Sequence, residues 1–222
     1  MRKNPVILFF LLLLSAANVN AQVTWSLATD FSLVRSQKET QRFWIAAHTI
    51  KSDLHITPRS GPYISATYFL NASFHNDLTA DAKSSTTAPQ SISFRNNSKL
   101  DLNHFCIGWK HYMIGQCNKD EGWSLYGMAG FGVSGGRLEN TFAPAVDTAL
   151  YQVPLLYGSS RFKRLTFDAG LGWDFQLSGD IYLYNEFNVS IPTTDYPTKY
   201  LLSNGYVPLL LAVNVGLRVY FD

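Results

Sequence analysis

Residues 209–221 read LLLAVNVGLRVYF, and every second position from Leu209 onward is apolar. The positions between them are small, polar or amphipathic, and they include Asn214, Gly216 and Arg218. This period of two predicts a β-strand with one apolar face and one mixed face. A strand of this length extends about 43 Å, or about 30 Å across a bilayer when it is tilted near 45°. The stretch therefore matches the hydrocarbon thickness of a membrane.

The same alternation recurs upstream, most clearly within residues 122–134, 165–175 and 181–191. With one early strand and three weaker candidates it predicts eight strands: 23–33, 42–50, 61–72, 100–112, 122–134, 165–175, 181–191 and 209–221. The outer loops are predicted at 71–99, 135–160 and 191–205, whereas the alternate connections are short. This asymmetry is typical of outer-membrane barrels. The sequence therefore predicts an all-β fold, an eight-stranded antiparallel up-and-down transmembrane β-barrel.

Charge placement distinguishes a membrane barrel from a water-soluble one. Only 15% of the residues are charged, against about 25% in typical soluble domains. The four clearest strands contain four charged residues, all on the Gly-rich polar face: Asp168, Asp174, Glu186 and Arg218. A soluble secreted β-barrel that binds an apolar ligand is the alternative, but it would need many Lys and Glu residues on that face. The balance of 18 basic and 16 acidic residues excludes a nucleic-acid binder that works through a basic field.

The N-terminus has the pattern of an export signal. Arg2 and Lys3 precede an unbroken apolar run over residues 6–14, and small residues follow. The run is too short to span a bilayer as a helix, which favours a signal peptide over residues 1–21, cleaved between Ala21 and Gln22. The mature domain is then residues 22–222, and its charge is balanced because two of the basic residues leave with the signal.

The polar face of the predicted strands points into a narrow lumen. An eight-stranded barrel is just wide enough to be filled by side chains. The candidate lumen network, to which we assign a structural role, is Asp30, Asp168, Asp174, Glu186, Asn214 and Arg218. A buried Arg requires a carboxylate partner, so we expect Arg218 to pair with Glu186 on the neighbouring strand. The glycines of residues 127–136 are expected to relieve crowding inside this barrel.

Four stretches carry a family resemblance: GWSLYGMAGFGVSGG at 122–136, LTFDAGLGWDFQLSGDIYLYNEFNVSIP at 165–192, GLRVYF at 216–221 and IGWKHYM at 107–113. They resemble the small, eight-stranded outer-membrane β-barrel proteins of Gram-negative bacteria. The resemblance covers most of residues 23–222 as architecture and is specific from about residue 105 onward. It implies insertion into the outer membrane by the barrel insertion machinery. In that family's insertion signal the terminal aromatic is commonly the last residue, whereas here Asp222 follows Phe221.

The resemblance also implies an enzymatic alternative, because some small barrels of that family act on lipids or peptides at the rim, using His with Ser or Asp. The candidates here are His104 with Asp101 or Ser98, and His75 with Asp77, but no nucleophile motif surrounds them. A rim enzyme is therefore the second alternative, and we predict no catalytic residues. No histidine has the spacing of a metal site, so we predict neither a metal nor a cofactor. The sequence leaves open whether the two cysteines pair.

The predicted function is a structural or surface-interaction role in the bacterial outer membrane, with a plugged lumen. The expected partners are outer-membrane lipids and the insertion machinery, with no nucleic acid, and the expected state is a monomer. The surface partner of the outer loops cannot be identified from the sequence, nor can any conduction through the lumen.

Overall fold

The computed structural model describes residues 23–117, 122–194, 200–202 and 209–221. The predicted signal peptide and the junction between Ala21 and Gln22 lie outside these residues. The described chain is almost entirely strand: β1 Thr24–Ser36, β2 Phe43–His55, β3 Ser60–Phe69, β4 Ala72–Ala82, β5 Ser91–Ile114, β6 Trp123–Ala143, β7 Tyr151–Gln152, β8 Gly158–Ser178, β9 Ile181–Pro192 and β10 Leu210–Phe221. Within these ranges no helix has the length and apolar character needed to cross a membrane.

Eight of the strands pair in a ring. Each strand is antiparallel to the next in the order β1, β2, β3, β5, β6, β8, β9 and β10. The ring returns to its start because β10 pairs with β1 along its whole length, with Trp25 opposite Phe221. Strands that neighbour each other in the ring therefore follow each other in chain order, as in an up-and-down barrel, except for this closing pair. The predicted eight-stranded antiparallel barrel is confirmed.

Strands β3 and β4 follow each other along the same edge of the long strand β5. β3 pairs with the second half of β5, and β4 pairs with its first half, as far as Leu100. The prediction that residues 71–99 form a loop is therefore wrong, because most of them belong to β4 and β5. Their outward face is polar, since this part of the hairpin stands above the apolar outer band. The apolar-outward alternation that marked the other strands is consequently missing here.

The predicted loop at 135–160 is also much too long. β6 continues to Ala143 and β8 begins at Gly158, so both strands extend beyond the apolar outer band. Short β7 pairs with the end of β4 and ties the remaining loop to the hairpin. A small apolar core of Ala80, Phe94 and Tyr151 holds these parts together. We call this raised part, residues 72–102 with 136–163, the extension.

The outer face of the ring is an apolar band. In β1 the apolar side chains of Trp25, Leu27, Phe31 and Leu33 are exposed, whereas the opposite face, Ser26, Ala28, Asp30 and Ser32, is buried. The same inversion holds around the ring, and Phe31 is 78% exposed. A soluble secreted barrel would place this apolar face inside. The fold is therefore a transmembrane barrel, and the soluble alternative is wrong.

Candidate functional site

The lower lumen, near the chain termini, holds a cluster of buried charges. Three cations face three carboxylates, and each of the six side chains is at most 3% exposed. They come from β2, β5, β8, β9 and β10: Lys51, Asp53, Lys110, Asp174, Glu186 and Arg218. Because cations and carboxylates are equal in number, the cluster is formally neutral. Burial without this balance would be very costly.

Arg218 lies at the centre of the cluster. Its Nη1 donates to Asp174 Oδ2 at 2.8 Å, and its Nη2 lies 3.3 Å from Asp53 Oδ2. Glu186, the partner expected from the sequence, is 3.6 Å from the same Nη2. The structure therefore brings Arg218 and Glu186 together but gives Arg218 its shortest contact with Asp174, two strands away in the ring.

Two lysines complete the neutralisation. Lys110 Nζ donates to Asp53 Oδ2 at 2.9 Å, and Lys51 Nζ donates to Glu186 Oε2. Lys110 also lies over the ring of Tyr126, with its Nζ 4.0 Å from the ring centroid, where a cation–π attraction adds to the ion pair. Neither of the lysines nor Asp53 was predicted from the sequence. The signal that would have found them is their lumen-facing register on β2 and β5.

Tyrosines fill the space between the charges. Tyr112 donates to Asp174 at 3.0 Å and shares a 2.7 Å hydrogen bond with the Tyr220 hydroxyl. Tyr126 donates to Glu186 at 2.9 Å, so its hydroxyl is paired as well. These rings supply volume. The Tyr126 hydroxyl satisfies Glu186 Oε1, and the Tyr112 hydroxyl shares Asp174 Oδ2 with Arg218. We call the six charged residues and Tyr112, Tyr126 and Tyr220 the plug.

The other predicted lumen residues fall into two groups. Asp30 and Asn214 adjoin the plug, where Asp30 accepts hydrogen bonds from the Tyr184 hydroxyl at 2.6 Å and from Asn214 at 3.5 Å. Asp168 lies elsewhere, further from the chain termini. Its Oδ2 accepts from Thr166 at 2.8 Å and is 3.3 Å from His104 Nε2. The structure thus places all six predicted residues on the lumen side, and five of them belong to one connected group.

A cavity of about 80 Å³ lies between the plug and the Asp168 group. Lys51 and Asn214 line its lower part, and His104 and Cys106 line its wall. Gly132 leaves room for the side chains beside the cavity, because a Cβ at that position would overlap His104 and crowd Asp168. Towards the loops the lumen contains an apolar cluster of buried residues, the apolar cap: Val34, Phe43, Ile45, Ala47, Phe69, Ala72, Phe74, Leu100, Leu102, Leu138 and Leu210.

The structure separates His104 from both of its predicted rim partners, whereas His75 and Asp77 lie on one exposed face of β4. His104 faces the lumen, whereas Asp101 is on the opposite, outward face of β5. Ser98 donates to Asn140 at 2.8 Å and lies six positions from His104. On the extension, the two Arg95 hydrogen bonds to Asp77 hold the pKa of that carboxyl below its ordinary value.

Histidine, acidic and cysteine side chains are the groups of the described ranges that could hold a metal ion or form a disulfide. No three His, Cys, Asp or Glu side chains there are grouped closely enough to hold a metal ion. No disulfide joins Cys106 to Cys117. Cys106 is buried beside Tyr63, with its Sγ 3.6 Å from the hydroxyl.

Comparison with known proteins gives fold relatives but no sequence relatives. No family model matches the chain, and no curated protein matches it either. Among solved structures, Neisserial surface protein A aligns with a TM-score of 0.53 at 10% identity, covering 89% of this chain and 97% of that one. This likeness shows the fold, and the exposed apolar band is the surface that a barrel of this kind presents to a membrane.

Two further barrels align over similar lengths. Ail of Yersinia pestis, solved with the heparin analogue sucrose octasulfate, has a TM-score of 0.47 at 11% identity and covers 90% of this chain and 99% of that one. The N-terminal barrel domain of Pseudomonas aeruginosa OprF has a TM-score of 0.46 at 8% identity, with coverages of 90% and 100%.

Proposed function

We propose that the protein is a non-enzymatic outer-membrane barrel with a structural or surface-contact role and a lumen that does not conduct. The observation that carries this proposal is the plug. Its residues come from six of the eight ring strands, and its charges are buried and mutually neutralised. An ion crossing the lumen would have to displace these groups, and each uncompensated buried charge costs several kcal/mol. The apolar cap gives a second closure on the loop side.

The extension supports the surface-contact part of the proposal. It raises paired strands above the apolar band, and its exposed side chains are mostly polar, as in the Arg95–Asp77 pair. A rigid sheet that projects into water presents a fixed contact surface at little entropic cost. We propose that the barrel is a monomer, surrounded by outer-membrane lipids and inserted by the barrel insertion machinery.

Conductance in planar bilayers tests the closed lumen. We expect the refolded mature chain to give no steady current, whereas a general porin measured alongside conducts. A variant with Tyr112, Tyr126, Asp174 and Arg218 all changed to Ala removes volume but keeps the charge balance, and it should conduct if it shows the heat-dependent gel shift of a folded barrel. A steady ohmic current through the unmodified protein would refute the closed lumen.

Lipid composition tests the non-enzymatic part. We expect the outer-membrane lipids of an expressing strain to match those of the empty strain. A change in lipid composition that is reversed in a His104→Ala strain would support the rim enzyme instead. His104 is chosen because, of the two rim histidines, it alone has a polar network around it in the described chain.

A further inference from the structure

The outward face of β5, β6 and β8 carries basic residues immediately above the apolar band. The topmost apolar row is Phe105, Val133 and Leu165, which lie opposite one another in register. The next outward row is Asn103, Gly135 and Lys163, and the row above it is Asp101, Arg137 and Arg161. Basic side chains therefore occur at the level where the headgroups of the outer leaflet begin.

These cations are incompletely neutralised. Arg137 and Arg161 are directly opposite each other, and like charges in that position destabilise a sheet. Arg137 is 3.8 Å from Glu139 and donates to Ser159 at 3.1 Å. Neither Arg161 nor Lys163 forms an ion pair with any residue in the described ranges. An anion between the two strands would relieve the repulsion.

A groove lies at the same place. It has a volume of about 490 Å³ and is lined by Asn103, Gly135, Gly136, Arg161, Phe162 and Lys163. Gly135 leaves the outward surface open, since a Cβ there would have no neighbour closer than 3.7 Å. Two cations thus border a depression that a phosphate group, with part of the sugar that carries it, could enter.

A second groove lies further down the same strands inside the apolar band, beyond the outward side chains of Val133 and Phe131. It has a volume of about 640 Å³, with Gly127, Ala129, Ala169 and Gly170 at its floor and larger side chains such as Trp109 at its edge. Gly135 and Ala129 are six residues apart on β6, which is about 20 Å along the strand. At a tilt near 45° this is about 14 Å in depth, within one leaflet.

We infer that these two grooves together bind one phosphorylated outer-leaflet lipid, with its phosphate beside Arg161 and Lys163 and an acyl chain in the small-residue groove. Charge and position favour a lipid over a soluble anion, because the cationic groove lies directly above the apolar band, on the same strands as the acyl groove. The site is richer in cations than the opposite side of the ring, where one exposed arginine, Arg42, precedes β2 at its loop-side end, whereas β8 carries both Arg161 and Lys163 there.

Native mass spectrometry of the detergent-purified mature barrel tests this inference. The probes are a bis-phosphorylated disaccharide lipid, the same lipid without phosphates, and the chain-free disaccharide phosphate. The basic variant carries Arg137→Gln, Arg161→Gln and Lys163→Gln, and the filled variant carries Gly127→Leu and Ala129→Leu. The matched control is Arg42→Gln, an exposed arginine that precedes β2 on the far side of the ring.

We expect the phosphorylated lipid to bind the unmodified barrel and the control equally. Three interfacial cations correspond to about a hundredfold in affinity, which the basic variant should lose. Removal of the lipid phosphates should cause a similar loss, and the filled variant should weaken lipid binding without changing the heat-dependent gel shift. If the basic variant does not fold, Lys163→Gln alone should weaken binding about fivefold.

Four results would overturn the inference. The basic variant, or Lys163→Gln in its place, could bind as tightly as the control. The dephosphorylated lipid could bind as well as the phosphorylated one, which would leave only an apolar surface. The chain-free phosphate could compete as strongly as the lipid, or the filled variant could bind normally, and either would show that no acyl chain is held. None of these results bears on whether the lumen conducts.

Discussion

Replacement of Arg218 by Met tests the energetics of the plug most directly. The change keeps most of the side-chain length and removes the guanidinium that contacts Asp174 at 2.8 Å and Asp53 at 3.3 Å. Asp53 keeps Lys110 as its partner, and Glu186 keeps a lysine as well. Asp174 loses its cation and retains hydrogen bonds from tyrosine hydroxyls alone.

The expected magnitude follows from that asymmetry. Removal of one partner of a buried ion pair costs about 3–5 kcal/mol, because the remaining charge stays buried without compensation. Arg218 is fully buried, so solvent cannot replace it. The double variant Arg218→Met with Asp174→Asn removes one charge of each sign and leaves two cations facing two carboxylates. Replacement of a whole buried pair is often nearly neutral, so we expect the double variant to lose about 2 kcal/mol or less.

Urea unfolding of the mature chain in phosphatidylcholine vesicles measures these free energies, with tryptophan fluorescence and the heat-dependent gel shift as independent probes. The two single variants and the double variant form a cycle whose coupling energy reports the pair itself. A loss below about 1 kcal/mol for Arg218→Met, or single losses that simply add in the double variant, would refute the central role given to this pair.

Two further perturbations test packing and membrane placement. A Cβ at Gly172 would lie 2.6 Å from the ring of Tyr126, so we expect Gly172→Ala to lower the free energy of unfolding by about 1–3 kcal/mol. Gly127→Ala is the matched control, because its Cβ would have 3.8 Å of clearance, and an equal loss in both would contradict the packing argument. Val215 lies mid-strand on the exposed apolar face of β10, so Val215→Arg should cost about 2–4 kcal/mol in vesicles, against about 0–1 for Ile181→Arg at the end of β9. Equal costs would mean that Val215 lies no nearer the middle of the bilayer than Ile181.

Alternation was informative wherever the outer face is apolar. The stretch at 209–221 predicted β10 to within one residue, and 181–191 predicted β9 equally well. The same reasoning failed at 71–99, because residues such as Ser73, Asn97 and Lys99 face water. A strand that is polar outside and only partly apolar inside has the composition of a loop. Its length becomes apparent only from its pairing with a neighbouring strand.

The sequence predicted which side chains face the lumen better than it predicted which of them pair with one another. Asp174, Glu186 and Arg218 were identified because their strands alternate cleanly and contain almost no other charge. Lys51 lies just beyond the predicted second strand, and Lys110 lies on a strand whose faces are mixed. Which carboxylate meets which cation depends on the register across the ring and on side-chain reach. A single sequence without pairing information does not contain that register.

The route by which Arg218 reaches its partners has a consequence for biogenesis. Asp53, Lys110 and Asp174 lie on strands that precede β10 in the chain, and Arg218 arrives only with that final strand. The seam between β1 and β10 joins the two ends of the domain, so its contacts have the greatest sequence separation and are expected to form late. Until the seam forms, the nascent lumen carries an excess of negative charge, which favours a hydrated and open intermediate. Pairing of β10 with β1 then brings Arg218 to its carboxylates, so that completion of the cylinder and neutralisation of the buried charges occur in the same step.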